Sequence, residues 1–145
     1  MNLALGKPTY QLSTTLNGVS SNAVDGSKHP DFSQNSCVQS NHVNEPWWYV
    51  DLQERFYVTS VIITNRRDCC HERLTDFEIK VGNEDIEGGI RNSRCAPKFR
   101  QFVNPGESVE IFCDNPMLGR FVTIVIPGYG ILNFCEVEVY GRRRK

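Results

Sequence analysis

The stretch Asn65-Arg66-Arg67-Asp68-Cys69-Cys70-His71-Glu72-Arg73 places three guanidinium groups, two carboxylates and two adjacent cysteines within nine residues. Guanidiniums are planar, permanently charged forks that donate hydrogen bonds and never accept them. Two of them aimed at one point grip a group rich in lone pairs, such as sugar hydroxyls or a ring oxygen. A carboxylate between them, here Asp68, orients both forks and offsets their mutual repulsion. A loop needed only to reverse the chain would use Gly, Asn or Pro. On residue types alone the stretch also fits a solvated, salt-bridged surface loop, which is what most charge runs are.

Catalysis finds less support. Nucleophilic chemistry wants a Ser or Cys poised beside His and a carboxylate. The three histidines, His29, His42 and His71, all fall in polar loops, and no G-x-S-x-G elbow occurs. No local pattern singles out a carboxylate pair for glycoside hydrolysis. Cys69, Cys70, His71 and Glu72 are metal-ligand types, but four consecutive residues do not easily converge on one tetrahedral ion. Binding without turnover is the reading that fits.

The elements that must hold this loop are strands. It follows the β-branched run Val61-Ile62-Ile63-Thr64 and closely precedes the alternation Phe77, Ile79, Val81. Strands are expected over 46–52, 57–64, 76–81, 108–113, 121–126 and 134–140. The opening 3–22 should hold a short strand and a long loop. Turn chemistry separates these runs at Asp25-Gly26, Gly82-Asn83, Gly88-Gly89, Pro105-Gly106, Asn115-Pro116 and Pro127-Gly128. There is no convincing amphipathic helix longer than two turns. Short strands with Gly/Pro punctuation predict an all-β fold, an antiparallel β-sandwich or jelly roll.

At 145 residues the chain is read as one domain over 1–141, followed by a basic tail at 142–145. A net charge of −1 gives no electrostatic case for nucleic acid. No apolar run approaches the ~20 residues that span a bilayer. The first residues lack the apolar region of a signal peptide, so the expectation is a mature chain to which Met1 was added. Six cysteines without a CxxC pair favour a disulfide framework outside the reducing cytosol over a zinc ribbon. Six allow 15 pairings, and spacing alone does not choose. Neighbouring Cα atoms lie ~3.8 Å apart, below the usual disulfide range of roughly 4.4–6.8 Å, so by local geometry Cys69 and Cys70 would each bond elsewhere.

The chain nevertheless resembles a known family. Arg66-x-Asp68, four residues and then Arg73 match the second half of the F-type lectin motif: His, 26 residues, Arg-x-Asp, four residues, Arg or Lys. The likeness extends through Asn2-Leu3-Ala4, Pro46-Trp47-Trp48-Tyr49-Val50-Asp51-Leu52 and Phe134-Cys135-Glu136-Val137-Glu138-Val139. F-type lectins are fucose-binding jelly rolls related to discoidin and coagulation-factor C domains. The resemblance implies a Cys69–Cys70 vicinal disulfide stacking on the sugar, with Cys37–Cys135 and Cys95–Cys113 as structural braces. Arg66 and Arg73 would donate to the axial 4-hydroxyl, the ring oxygen and an adjacent hydroxyl of terminal α-L-fucose. Phe32 would pack on its C6 methyl. Counting 26 residues back from Arg66, from Asn65 to Ser40, puts Gln39 where the family has its sugar-binding His. An amide still donates and accepts, but its extra rotor must be frozen, so binding is expected to be weaker or shifted.

The same resemblance implies a structural Ca²⁺ held by Asn22, Asp25, Ser27, Ser36, Cys135 and Glu136, several through main-chain carbonyls. It further implies a secreted, non-enzymatic lectin, a homo-oligomer whose partners are fucosylated glycans, with no nucleic acid and no membrane insertion. Two other outcomes remain open: a discoidin-like adhesion domain for protein or phospholipid, and a paralogue directed to another glycan. The loop 10–21 is expected beside the pocket, with Leu12 or Leu16 as an apolar wall.

Overall fold

The computed structural model describes residues 1–32 and 36–144. Its described residues form ten strands: β1 (Thr9–Gln11), β2 (Val38–Gln39), β3 (Val43–Asn44), β4 (Trp47–Thr64), β5 (Glu78–Gly82), β6 (Ser93–Arg94), β7 (Ser108–Val125), β8 (Tyr129–Gly130), β9 (Asn133–Phe134) and β10 (Glu136–Arg143). All pairings are antiparallel. The helical pieces are short 3-10 turns, at Ser20–Val24, His71–Arg73 and Ile86–Gly89. The fold is the all-β sandwich that the strand pattern predicts.

Two strands of 18 residues each, β4 and β7, run antiparallel along their length and change neighbours midway. Residues 47–51 of β4 pair with 121–125 of β7, and 48–50 pair with β1 on the other side; that end of β7 also carries β5, then β6. Residues 56–64 of β4 pair instead with β10 and with 108–119 of β7. The break lies at two register shifts, between Asp51 and Phe56 and between Val58 and Ser60. Before the second shift the core-facing apolar residues of β4 are even-numbered (Trp48, Val50, Leu52, Phe56, Val58); after it they are odd (Val61, Ile63). A bulge of one residue inverts the pleat, so each half can face the same core. Val137 and Val139 of β10 and Leu3, Ala4, Ala23 and Val24 complete that core. Trp48 is fully buried at its centre, edge-on to Phe134, with its indole N–H donating to the Ser20 carbonyl at 3.0 Å.

Three expectations need correction. The strands expected at 46–52 and 57–64 are one strand, as are those at 108–113 and 121–126. Asn115-Pro116 is therefore not a turn between strands. Residues 113–116 stand opposite Thr59 alone, between the pairs Phe112↔Ser60 and Met117↔Val58. Pro116 can sit there because no ladder bond needs its missing N–H. The segment expected at 134–140 is broken at Cys135 into β9 and β10. Finally, β10 continues to Arg143, past the expected start of the basic tail: Arg142 lies over the Tyr57 ring, and Arg143 pairs with Glu54 at 3.0 Å. Lys145, the last residue of that tail, lies outside the described residues.

Candidate functional site

The charged loop begins where β4 ends, and its root is a buried asparagine. Asn65 is fully buried. Its Nδ2 donates to the carbonyls of Val103 (2.7 Å) and His71 (3.0 Å), its Oδ1 accepts from the Arg66 N–H, and its own N–H donates to Glu107. One side chain thus closes the loop on itself and staples it to the 103–107 connection. A buried amide with all these partners is a rigid anchor.

Arg66 turns inward. Its Nε donates to Asp68 Oδ1 at 2.7 Å, Nη2 to Oδ2 at 3.3 Å and Nη1 to Gln39 Oε1 at 2.9 Å. The guanidinium lies 4.5 Å from the Phe32 ring centroid, and the Phe32 N–H donates to Asp68. Three of the five guanidinium donors are spent, which leaves two for a ligand. The Arg66 guanidinium holds the Asp68 carboxyl below the usual range, against an opposing effect of burial. Arg67 points away and forks onto Asp31 at 2.7 and 3.1 Å, while its N–H donates to the Pro30 carbonyl. Both interactions tie the segment carrying Phe32 to the loop.

Gln39 sits in β2, buried, paired with Asn133 of β9. Its main chain is also stitched to the loop 10–21: its N–H donates to Gly18, and its carbonyl accepts from Thr15. A Cβ on Gly18 would lie 2.5 Å from the Gln39 nitrogen, so only glycine permits this approach. Leu12 and Leu16 on that loop are both exposed. Only an oxygen can face a guanidinium N–H, so the Gln39 amide is oriented and its Nε2 is the group left to donate.

Cys69 and Cys70 are bonded to each other, and Cys37–Cys135 and Cys95–Cys113 also form. The local-geometry expectation for the vicinal pair is thereby overturned. Cys70 adopts φ 65, a left-handed conformation uncommon outside glycine, and the 3-10 turn His71–Arg73 follows at once. Arg73 donates its N–H to the Cys70 carbonyl at 3.0 Å. Its side chain is not drawn into the Arg66–Asp68 cluster. It lines a groove of about 570 Å³ with His42 and Tyr129, and forms no ion pair among the described residues. Direct contacts thus bring together Gln39, Arg66, Asp68 and Phe32, with Cys69 and Cys70 next along the chain and Arg73 at the margin. Sequence reasoning missed the anchor Asn65, although a polar residue ending an apolar strand is a weak sign of one. It also missed the groove, whose walls are far apart in sequence.

The residues expected around calcium are also near one another. Asn22 and Asp25 lie on and just after the turn Ser20–Val24, Ser36 and Cys135 flank and form the Cys37–Cys135 bridge, and Glu136 opens β10. Asn22 Nδ2 donates to the Cys37 carbonyl at 2.9 Å, and Asp25 accepts from the Ser27 N–H. Glu136 is buried; its Oε2 accepts from the Gly26 N–H at 2.9 Å, and its Oε1 meets no hydrogen-bond donor among the described residues. Burial, with Asp25 adding to it, pushes the Glu136 carboxyl up to about 9. No group of three or more His, Cys, Asp or Glu among the described residues could hold a metal. A desolvated carboxylate with an orphaned oxygen beside a second one, among hydroxyl and carbonyl oxygens, suits a hard cation, so the donor set fits Ca²⁺.

An all-β sandwich carrying a braced arginine–carboxylate cluster beside a vicinal disulfide has known relatives. Residues 22–124 match the model of the NedA-like, galactose-binding domain. The chain is 42% identical over 117 residues to Fucolectin-1 of Anguilla japonica, covering 81% of this chain and 65% of that protein. It is 40% identical over 123 residues to Fucolectin of Anguilla anguilla, covering 85% and 77%. Among solved structures, an F-lectin (fucolectin) from striped bass (Morone saxatilis) serum superposes with a TM-score of 0.92 at 38% identity, covering all of this chain and 48% of that one. The lectin domain of lectinolysin complexed with Lewis B antigen gives 0.79 at 29% identity, covering 100% and 98%. The chain belongs to the F-type lectin (fucolectin) family. It spans about two thirds of the length of the first of these relatives and about half of the striped bass chain.

Proposed function

We propose that this domain is a non-enzymatic lectin that binds terminal α-L-fucose. The observation that carries the reading is the Arg66 guanidinium: clamped by Asp68 and Gln39 over Phe32, it keeps two donors for a ligand beside the Cys69–Cys70 disulfide. Donors fixed in advance lose little freedom on binding, which favours hydroxyl recognition. In this reading Arg66 and Arg73 donate to the 4-hydroxyl, the ring oxygen and an adjacent hydroxyl. The disulfide supplies a polarizable face for the ring, and Phe32 an apolar one for the C6 methyl. Burying that methyl contributes about 1 kcal/mol, so discrimination against L-galactose, which carries a hydroxymethyl there, is modest. Kinship to fucolectins supports the sugar class.

Gln39 favours a shift within that class. Its oxygen already accepts from Arg66, so toward the sugar it offers a donor alone. A structural Ca²⁺ held by Asn22, Asp25, Ser27, Ser36, Cys135 and Glu136 would neutralise the buried carboxylates and fix the 22–27 turn against β10. Three disulfides support a secreted protein. Weak single sites of this kind gain from a homo-oligomer that presents several to one fucosylated surface. The test is calorimetric titration with methyl α-L-fucoside and methyl α-L-galactoside. Fucoside binding that disappears in Arg73→Ala supports the reading; no fucoside binding at millimolar sugar ends it.

A further inference from the structure

The net charge of −1 hides a cationic corner at the end of the sandwich away from the sugar loop. Tyr57 of β4, Arg142 and Arg143 of β10, and Arg144 just beyond line a shallow recess there of about 360 Å³. We propose that this corner is a second binding site, which takes the sulfate esters of an anionic polysaccharide. It does not depend on the fucose reading. β10 meets β4 at Thr64, next to the start of the sugar loop, and leaves it at Phe56. Most of a strand's length, about 25 Å, therefore separates the two sites.

The arginines are held by the sheet and are not a loose end. The ladder shifts register between Tyr140 and Gly141 and then continues, with Arg142 opposite Tyr57 and Arg143 opposite Phe56. A Cβ on Gly141 would collide with the Tyr57 carbonyl, so glycine is what lets the strand stay paired past the shift. Val137 and Val139 of β10 and Phe56 and Val58 of β4 face the core. Alternation therefore turns Arg142 and Arg144 outward on one strand, and Arg55 and Tyr57 outward on the other. The Arg142 guanidinium lies 4.9 Å from the Tyr57 ring centroid, which fixes its direction.

The charges in this array are not neutralised from within. Arg55, Arg142 and Arg144 form no ion pair among the described residues, and only Arg143 has one, with Glu54 at 3.0 Å. The acid on the same face of β10, Glu138, is taken by Lys28 and by the Tyr140 hydroxyl. One further step along both strands brings Arg144 level with Arg55. Like charges opposite one another destabilise a sheet, and a bound anion removes that cost.

Three guanidiniums and a phenol then stand at the corners of a rectangle, about 7 Å along the strands and about 5 Å across them. Guanidinium forks match the paired oxygens of sulfate and phosphate groups. The recess is shallow and its cations run along a strand, so it suits anions strung on a chain better than one enclosed ion. A membrane surface fits less well. None of the large apolar side chains exposed among the described residues belongs to 53–58 or 141–144, and Phe56 is buried, so nothing there would enter a bilayer.

The experiment measures binding of a size-defined heparin oligosaccharide by calorimetry, at low and at high salt. Its comparisons are the same oligosaccharide after complete desulfation, and phosphatidylcholine vesicles containing phosphatidylserine. The variants are Arg142→Ser/Arg144→Ser, Arg55→Ser as a second variant that leaves β10 intact, and Arg91→Ser/Arg94→Ser, which removes equal charge elsewhere; melting curves accompany each. The wild type should bind the sulfated chain, with affinity falling steeply as salt screens the contacts. Arg142→Ser/Arg144→Ser should weaken it about tenfold or more and Arg55→Ser several-fold, while Arg91→Ser/Arg94→Ser changes little. Methyl α-L-fucoside should not compete. The proposal is overturned if the wild type ignores the sulfated chain or binds the desulfated one equally well. It also falls if Arg91→Ser/Arg94→Ser costs as much as Arg142→Ser/Arg144→Ser, if fucoside displaces the chain, or if the vesicles alone are bound, which would make the corner a lipid-headgroup site.

Discussion

Replacing Asp68 by Asn tests whether the Arg66 fork is held for its ligand. The change keeps the side-chain shape and removes the charge that accepts from Nε at 2.7 Å and Nη2 at 3.3 Å. Arg66 stays buried, with its side chain only 11% exposed, while that of Asp68 is 30% exposed. A hydrogen bond to a charged group contributes about 1.5–3 kcal/mol, and this exposure lowers the figure, so a loss of about 1–2 kcal/mol is expected. In a domain of this size that lowers the melting midpoint by about 3–8 °C. The fork should also lose its fixed direction, with fucoside affinity falling about tenfold. Sign follows from the carboxyl, which Arg66 holds below its ordinary value of 3.8. The contribution is complete above 3.8 and disappears as pH falls through the depressed folded value, so wild type and variant should converge in acid. Urea melts from pH 7 to pH 3 and calorimetric titration at pH 7 measure both effects. An Asp68→Asn protein with unchanged midpoint and unchanged affinity would refute the reasoning.

Other expectations are simpler to state. Gln39→His should tighten fucoside binding several-fold, read by titration, because it exchanges a flexible amide for a rigid ring; unchanged or weaker binding would show that the amide is no handicap. The double variant Cys69→Ser/Cys70→Ser should weaken the sugar several-fold with little change in melting temperature, since a bond between neighbours closes a minimal loop. Adding chelator should lower the melting temperature, and calcium should restore it, as a ligand bound only by the folded state must do. An unchanged melting curve would remove the metal from the account.

Much of the candidate site was legible because its chemistry is local in sequence. Arg66, Asp68, Cys69, Cys70 and Arg73 lie within one loop, and their spacing to the motif needs no knowledge of the fold. The fold class was legible for a similar reason: alternation and turn residues report a strand wherever they occur. Strand continuity was not, because Gln53 at φ 70 and Pro116 read locally as breaks. Only the partner strand shows that each lies in a bulge, where no ladder bond is lost.

The sequence by itself determined an all-β chain with a nine-residue loop of donors between two strands, and the residue types that could grip a sugar. It left open whether that loop was a solvated surface. Tertiary structure brings Gln39 and Phe32 onto Arg66 and buries Asn65 beneath the loop. It also decided the vicinal disulfide, whose two cysteines had other chemically possible partners, and it raised the Tyr129 groove beside Arg73. Apart from the disulfide between neighbours, each of these depends on contacts between residues far apart in the chain. Their geometry is set by how the core packs, which no local pattern of residues encodes.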